Sequence, residues 1–466
     1  MRSPTTARLI RTIIGSIAQG AALLALVGCS LLRSTVDAYE TGPNGIARGQ
    51  QSLREALMRS DYAAALAWRE DDALLHALDI GASSYYASQF ARSAAVLDSA
   101  ALLADDRITN SVSGNALALA SSDLARPYQA RRTERLFIPY YAMLSYARLD
   151  QWEDAAVEAR RLGGLLAQYA GERSEPERAT HATLHYLSGV VFERAGEHAD
   201  AAVAYRLARA LLPEQVDSTL ARKGRNEGEV LVVLERGFVA HRATETISVR
   251  LGDDGPPPGG RHDDAADMVS LASRAVDAHA SGEQMPVSKS RTPHGPDEHD
   301  ETGYWMRVSF PAVRRAPRVR GEASVTVDGV TATSASVTSL VDDAVSADEG
   351  RERTATFARA TARAATKYAV TKAVKDEKGE VAGSIANIGV SLLERADVRS
   401  WHLLPQTVTL LRLRVPPGRH QLGVVVGNDS QHIDLGEVAV RGGEVTILAT
   451  RLWREAPTER AIAMKP

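Results

Sequence analysis

The chain has 466 residues, a formal net charge of −3, 44% hydrophobic residues and 5% aromatic residues. That length calls for two or three domains rather than one core. The near-neutral balance argues against a nucleic-acid binder. A single cysteine excludes a disulfide framework or a thiolate metal site as the source of stability.

The first 28 residues read as an export signal. Arg2, Arg8 and Arg11 make a positive start, Ile13 to Val27 are mostly apolar, and Leu26-Val27-Gly28-Cys29 closes the segment. The apolar run, interrupted by Ser16, Gln19 and Gly20, is too short for a permanent span. The ending resembles a lipobox, which implies acylation of Cys29 as a new N-terminus. A plain secretory peptide with an incidental cysteine is the bland alternative. Ser30, rather than an aspartate, follows the cysteine, and by resemblance to enterobacterial sorting this implies the outer membrane; the chain is expected to face the periplasm, with a surface-exposed orientation as the alternative. Residues 29–48 are then an acylated tether, and acyl chains are the expected link to the membrane.

Residues 49–215 carry a helical pattern rich in alanine, which suits helices packed side by side. Counted from Ala182, the residues Gly189, Phe192, Gly196, Ala201, Tyr205, Ala208 and Pro213 occupy positions 8, 11, 15, 20, 24, 27 and 32 of a 34-residue tetratricopeptide pattern. Small residues at 189 and 201 let two antiparallel helices approach, and Pro213 ends the second. A second copy runs from about Leu136 to Tyr169 with Tyr146, Trp152 and Ala155. A third starts near Leu75 with Tyr85, Ala94 and Ala101, and Asp61 to Ala65 resembles a degenerate first unit. The copies are unevenly spaced, and Ser113 to Tyr128 interrupts them. A short, irregular solenoid is expected.

From Gly228 the period changes to that of strands: residues 228–251 contain two of them, Glu229 to Leu234 and Thr244 to Leu251. Residues 252–301 are rich in Pro, Gly, Asp, Ser and His and are expected to be a disordered insertion, with a short helix near Asp264 to Ala280. Residues 302–454 are expected to form an α+β domain. It has strands at Tyr304 to Phe310 and Ala323 to Val327 and helices at Glu352 to Val374 and Ile385 to Leu393. A meander follows at 407–415, 420–426, 433–440 and 445–452, expected to be one sheet of a small sandwich. Residues 455–466 are a tail. The fold class is therefore α+β, a helical array followed by a mostly antiparallel domain.

The lipobox, Gly228 to Gly237, Arg359 to Lys372, and above all Ala396 to Pro405 followed by Val415 to Gly418 together resemble a family of Gram-negative lipoproteins. That family joins tetratricopeptide-like repeats to a strand-rich C-terminal region, and the resemblance covers most of the chain after the signal. It implies address and architecture, and it brings no reaction with it.

Candidate chemistry is sparse. No phosphate loop, nucleophile elbow, His-Glu-x-x-His or Cys-x-x-Cys occurs. His262, Asp263, Asp264, His294, Asp297, Glu298, His299 and Asp300 read as incidental charge, so no metal and no cofactor is expected. His181 and His185 lie one turn apart, a spacing that suits a metal, but position 185 normally holds a packing aromatic. Arg359, Arg363, Lys367, Lys372 and Lys375 make a basic helix face, read as solvated surface with anionic lipid as the alternative. Asp397 and Arg399 either meet a partner or pair locally while Trp401 and Leu403 plug the core. The expected function is a tethered adaptor or scaffold that binds an envelope protein through Tyr146, Trp152, His185, Phe192, Asp397 and Arg399, without bond-making. The alternatives are a hydrolase with its site in the C-terminal half and a purely structural lipoprotein.

Overall fold

The computed structural model describes residues 48–110, 126–216, 227–251, 304–319, 321–332, 334–353, 396–427 and 431–454, with 355–356 and 359–360. The signal and tether, the insertion at 252–301, its metal candidates, Ile385 to Leu393, the tail, and most of the helix at 352–374 with its basic face lie outside these residues. The chain divides into two compact units, Met1–Glu55 and Ala56–Pro466. Helix α1 (Arg48–Met58) spans the division, and every later element belongs to the second unit.

Among the described residues, seven further α-helices precede the first strand: α2 (Tyr62–Ala67), α3 (Ala73–Tyr86), α4 (Phe90–Asn110), α5 (Arg132–Arg148), α6 (Trp152–Tyr169), α7 (Glu175–Arg194) and α8 (His198–Leu211). The last six pair as three hairpins, α3/α4, α5/α6 and α7/α8. Each hairpin turns in the same way. The left-handed residue is Ser88, Asp150 or Gly196, at φ of 59, 60 and 80°, and Ser60 (57°) does the same between α1 and α2. The next N–H reaches back five residues, from Asp61 to Ala56, Gln89 to Ser84, Gln151 to Tyr146 and Glu197 to Phe192, at 2.8–3.0 Å. That bond satisfies a carbonyl the helix end would otherwise leave open. The anticipated close approach is real: a Cβ on Gly189 would lie 2.7 Å from the Tyr205 ring, and one on Gly81 would lie 2.6 Å from Leu97.

The second half is a sandwich. Strands β1 (Gly228–Arg236), β6 (Ala335–Leu340), β7 (Thr407–Val415) and β10 (Val445–Leu452) form one sheet in the order β10-β1-β7-β6. Strands β4 (Ala323–Val327), β5 (Val330–Ala332), β8 (Gly418–Val426) and β9 (Gln431–Val440) form the second, in the order β5-β4-β8-β9. A long hairpin, β2 (His241–Leu251) with β3 (Tyr304–Arg314), stands apart. Val230, Val232, Leu234, Leu411 and Leu413 from the first sheet meet Val325, Leu422, Val424 and Val426 from the second. The side chains of β1 that point the other way, Leu231 and Val233, are also buried. β1 therefore has no solvent face, as its unbroken apolar run requires.

Two expectations are corrected by this topology. The four C-terminal runs are strands, but they are not one meander: β7 and β10 lie in the first sheet, β8 and β9 in the second, and β10 runs parallel to β1. Alternation shows which faces a strand buries and says nothing about its neighbour. The helix expected from Glu352 starts earlier, and 341–353 are helical (α9). The short strands β5 and β6, flanked by Thr and Ser, carried too little apolar signal to stand out.

Candidate functional site

The inner helices α3, α5 and α7 face the first sheet, and buried polar clusters join them to it. Glu235 of β1 accepts hydrogen bonds from Tyr86 of α3 (2.7 Å) and Tyr140 of α5 (2.9 Å). Arg451 of β10 sits over the Trp453 ring at 4.2 Å, donates to Tyr86, and donates to the carbonyls of Leu403 (2.6 Å) and Gly237 (2.7 Å). Arg412 of β7 lies 2.5 Å from Glu229 of β1 and 2.9 Å from Glu193 of α7, and donates to Tyr205 of α8 at 2.8 Å. Burial disfavours the Arg412 cation, yet Tyr205, Tyr186, Glu193 and Glu229 outweigh it and hold its pKa above the usual arginine value. Thr180 of α7 meets Ser339 of β6 at 2.8 Å, and Arg351 of α9 pairs with Glu177 at 2.5 Å. The face of a helical solenoid that would receive an extended peptide is thus covered by the chain's own sheet.

That arrangement decides where the candidate binding residues lie. His185 is 8% exposed and Phe192 is 6% exposed. Tyr146 is half-buried, its hydroxyl donating to Asp98 at 2.7 Å. Trp152 is half-buried beside Arg194, whose guanidinium lies 4.5 Å from the ring centre. These four side chains do not share one open groove. His181 is buried beside His185, and burial lowers both imidazoles to about 4, so both are neutral. No group of three or more His, Cys, Asp or Glu side chains able to hold a metal occurs among the described residues.

This burial predicts a pH dependence. A base whose pKa is depressed by folding stabilises the native state above its unfolded value near 6.5, and this is lost as pH falls toward 4. The stability lost between pH 7 and pH 4.5 is therefore expected to be smaller in a His181→Leu/His185→Phe variant than in the parent. Urea titrations at the two pH values measure it, and equal losses would refute it.

Asp397 and Arg399 come together as the local pair anticipated, with Arg399 Nη2 at 2.8 Å and Nε at 2.9 Å from the Asp397 carboxylate. Trp401 and Leu403 are fully buried behind them. The turn is pinned by Glu134 of α5, which accepts from the Trp401 N–H (2.7 Å), the Tyr128 hydroxyl (2.5 Å) and the Arg131 N–H (2.8 Å). Arg399 also donates to the Arg126 carbonyl at 2.8 Å and stands 3.8 Å from Asp72. Burial pushes the Asp72 carboxyl up, but Arg107 and the N–H groups of Tyr128 and Leu75 outweigh that and keep it below its usual range.

Asp397 also borders a cavity of about 330 Å³ where the helices meet the strand-rich half. Arg126, Arg131, Arg132, Arg135, Arg242 and Arg359 line it, with Glu352 and Asp397 the carboxylates on the wall. Several of these arginines are braced from behind. Arg131 pairs with Glu349 (2.5 Å) and Glu352 (2.9 Å), Arg135 with Asp105 (2.5 Å), Arg132 with Glu172, and Arg242 with Glu349 (2.8 Å). Sequence reading missed this cleft, apart from Asp397 at its edge and Arg359, which reads from sequence as part of a solvated basic face. Four of its arginines lie between 126 and 135, but Arg242 and Arg359 come from distant segments, and singly each reads as ordinary surface charge.

No helix among the described residues is long and apolar enough to cross a membrane. Comparison with protein-family models, curated proteins and solved structures returns no match to this chain.

Proposed function

We propose that the chain is a member of the lipoprotein family it resembles. It is anchored at the outer membrane through an acylated Cys29, faces the periplasm, and serves as a binding adaptor or scaffold for an envelope protein. Its helix hairpins are read as irregular tetratricopeptide units, a reading supported by the left-handed turn residues Ser88, Asp150 and Gly196. Asp150 and Gly196 fall at position 15 of the copies that carry Tyr146 and Phe192 at position 11, and Ser88 falls at position 14 of the copy that carries Tyr85 there.

One observation carries the adaptor reading. The inner face of the array is fused to the sandwich, and the junction leaves an arginine-lined cleft on the surface. Recognition is therefore assigned to this junction, next to Asp397 and Arg399, rather than to the concave groove. Acyl anchoring raises the local concentration of the cleft toward other envelope components. The work is to bind and orient.

In-cell photo-crosslinking from the exposed rim residues Gln129 and Gln168 tests this. One dominant envelope protein is expected, reduced in Cys29→Ser cells and absent when the probe sits at Leu102, on the exposed face of α4. A pattern identical at all three positions, or no adduct above background, would overturn the assignment.

A further inference from the structure

We propose that the junction cleft binds a phosphate-bearing ligand about the size of a sugar. The inference deepens the adaptor reading by naming the chemistry of that cleft. The volume of about 330 Å³ lies at the small end of ligand pockets. Six arginines and two carboxylates line it, and Glu349, Asp105 and Glu172 behind the wall offset part of the positive charge.

The strongest observation concerns what those arginines leave undone. Arg242 Nη2, Arg132 Nη1 and Arg359 Nε are buried, and none has a hydrogen-bond partner. Arg242 is the most telling. Its side chain is only 7% exposed, Nε is held by Glu349, and Nη1 donates to the Arg399 carbonyl at 3.1 Å. The guanidinium is thus locked in place with one nitrogen unused. Buried N–H groups are normally paired, and each unpaired one is destabilising until an acceptor arrives.

The unused donors belong to β2, the first turn of α5 and the segment after α9. Arg132, Arg242 and Arg359 all line the same cleft, and the oxygens of a phosphate monoester can accept from more than one guanidinium. Guanidinium groups held in fixed orientation are well suited to phosphate recognition. Tyr128 and Tyr169 also line the cleft, both almost fully buried.

The test is isothermal titration of the full chain in neutral detergent at low salt. The probes are inorganic phosphate, glucose 1-phosphate, glucose, and monomeric dihexanoyl phosphatidic acid. Saturable binding of glucose 1-phosphate, with glucose silent, is expected. Arg132→Gln should weaken it about tenfold or more, the loss of one charge-assisted hydrogen bond. Arg242→Gln should abolish it, and circular dichroism on that variant separates lost binding from lost folding. Tight binding of the short-chain phosphatidic acid alone would place the phosphate on a lipid headgroup, and tighter binding of the sugar phosphate would place it on a soluble ligand. Silence from every phosphate probe at millimolar concentration, or equal binding by the Arg132→Gln chain, would overturn the proposal. A partner still captured from Gln129 would then leave the adaptor reading standing without it.

Discussion

Replacing Arg412 by methionine is expected to lower the free energy of unfolding by about 3–5 kcal/mol, the usual penalty for leaving a buried charge without its partner. The Arg412 side chain is 1% exposed and that of Glu229 is 3% exposed, so water cannot solvate what the substitution abandons. Glu193 and Tyr205 lose a donor in the same step. Equilibrium urea denaturation followed by circular dichroism measures the effect. Adding Glu229→Leu to Arg412→Met should recover much of the loss, because an apolar pair of similar volume avoids the desolvation of two ions. If the single variant were as stable as the parent, the cluster would not be what joins α7 and α8 to the sheet.

Trp401→Ala is expected to destabilise the chain by about 3–5 kcal/mol, as large aromatic truncations in cores do. The ring is among the largest fully buried side chains and lies edge-on to Tyr141, with ring centres 5.8 Å apart. Its backbone N–H is the donor that ties the 396–406 segment to Glu134. Loss of the ring should therefore loosen the helix–sheet joint, seen as a fall in near-ultraviolet circular dichroism and earlier thermal unfolding. Leu403→Ala, at a second fully buried position of the same plug, provides an independent check. Retained stability in both variants would refute the plug.

The local parts of this architecture were legible because they rest on spacing. The copy counted from Ala182 located the hairpin of α7 and α8, since Gly189 is small where the Tyr205 ring packs, as Gly81 is beside Leu97. The buried character of β1 was legible as an apolar run with no polar alternation. Pairing was not: nothing in residues 445–452 marks them as partners of 229–236. The polar clusters were hidden for a related reason. Glu235, Arg451 and Tyr86 look like surface residues, and only the packing of helices on the sheet gives them a common interior. Asp397 and Arg399 stood out because an acid and a base two residues apart suggest a pair, whereas the cleft needs Arg242 and Arg359 brought to the 126–135 segment by the fold.

The pairing of β1 has a consequence for the order of assembly. Strand β1 emerges directly after the helices, yet both its hydrogen-bonded neighbours, β7 and β10, belong to the last part of the chain. During synthesis the helices can close their local contacts early, while a strand destined for the middle of the molecule waits with both edges open. Long-range closure of this kind is slow and exposes apolar surface in the interval. Truncation before Val445 would leave one edge of the central strand without its partner.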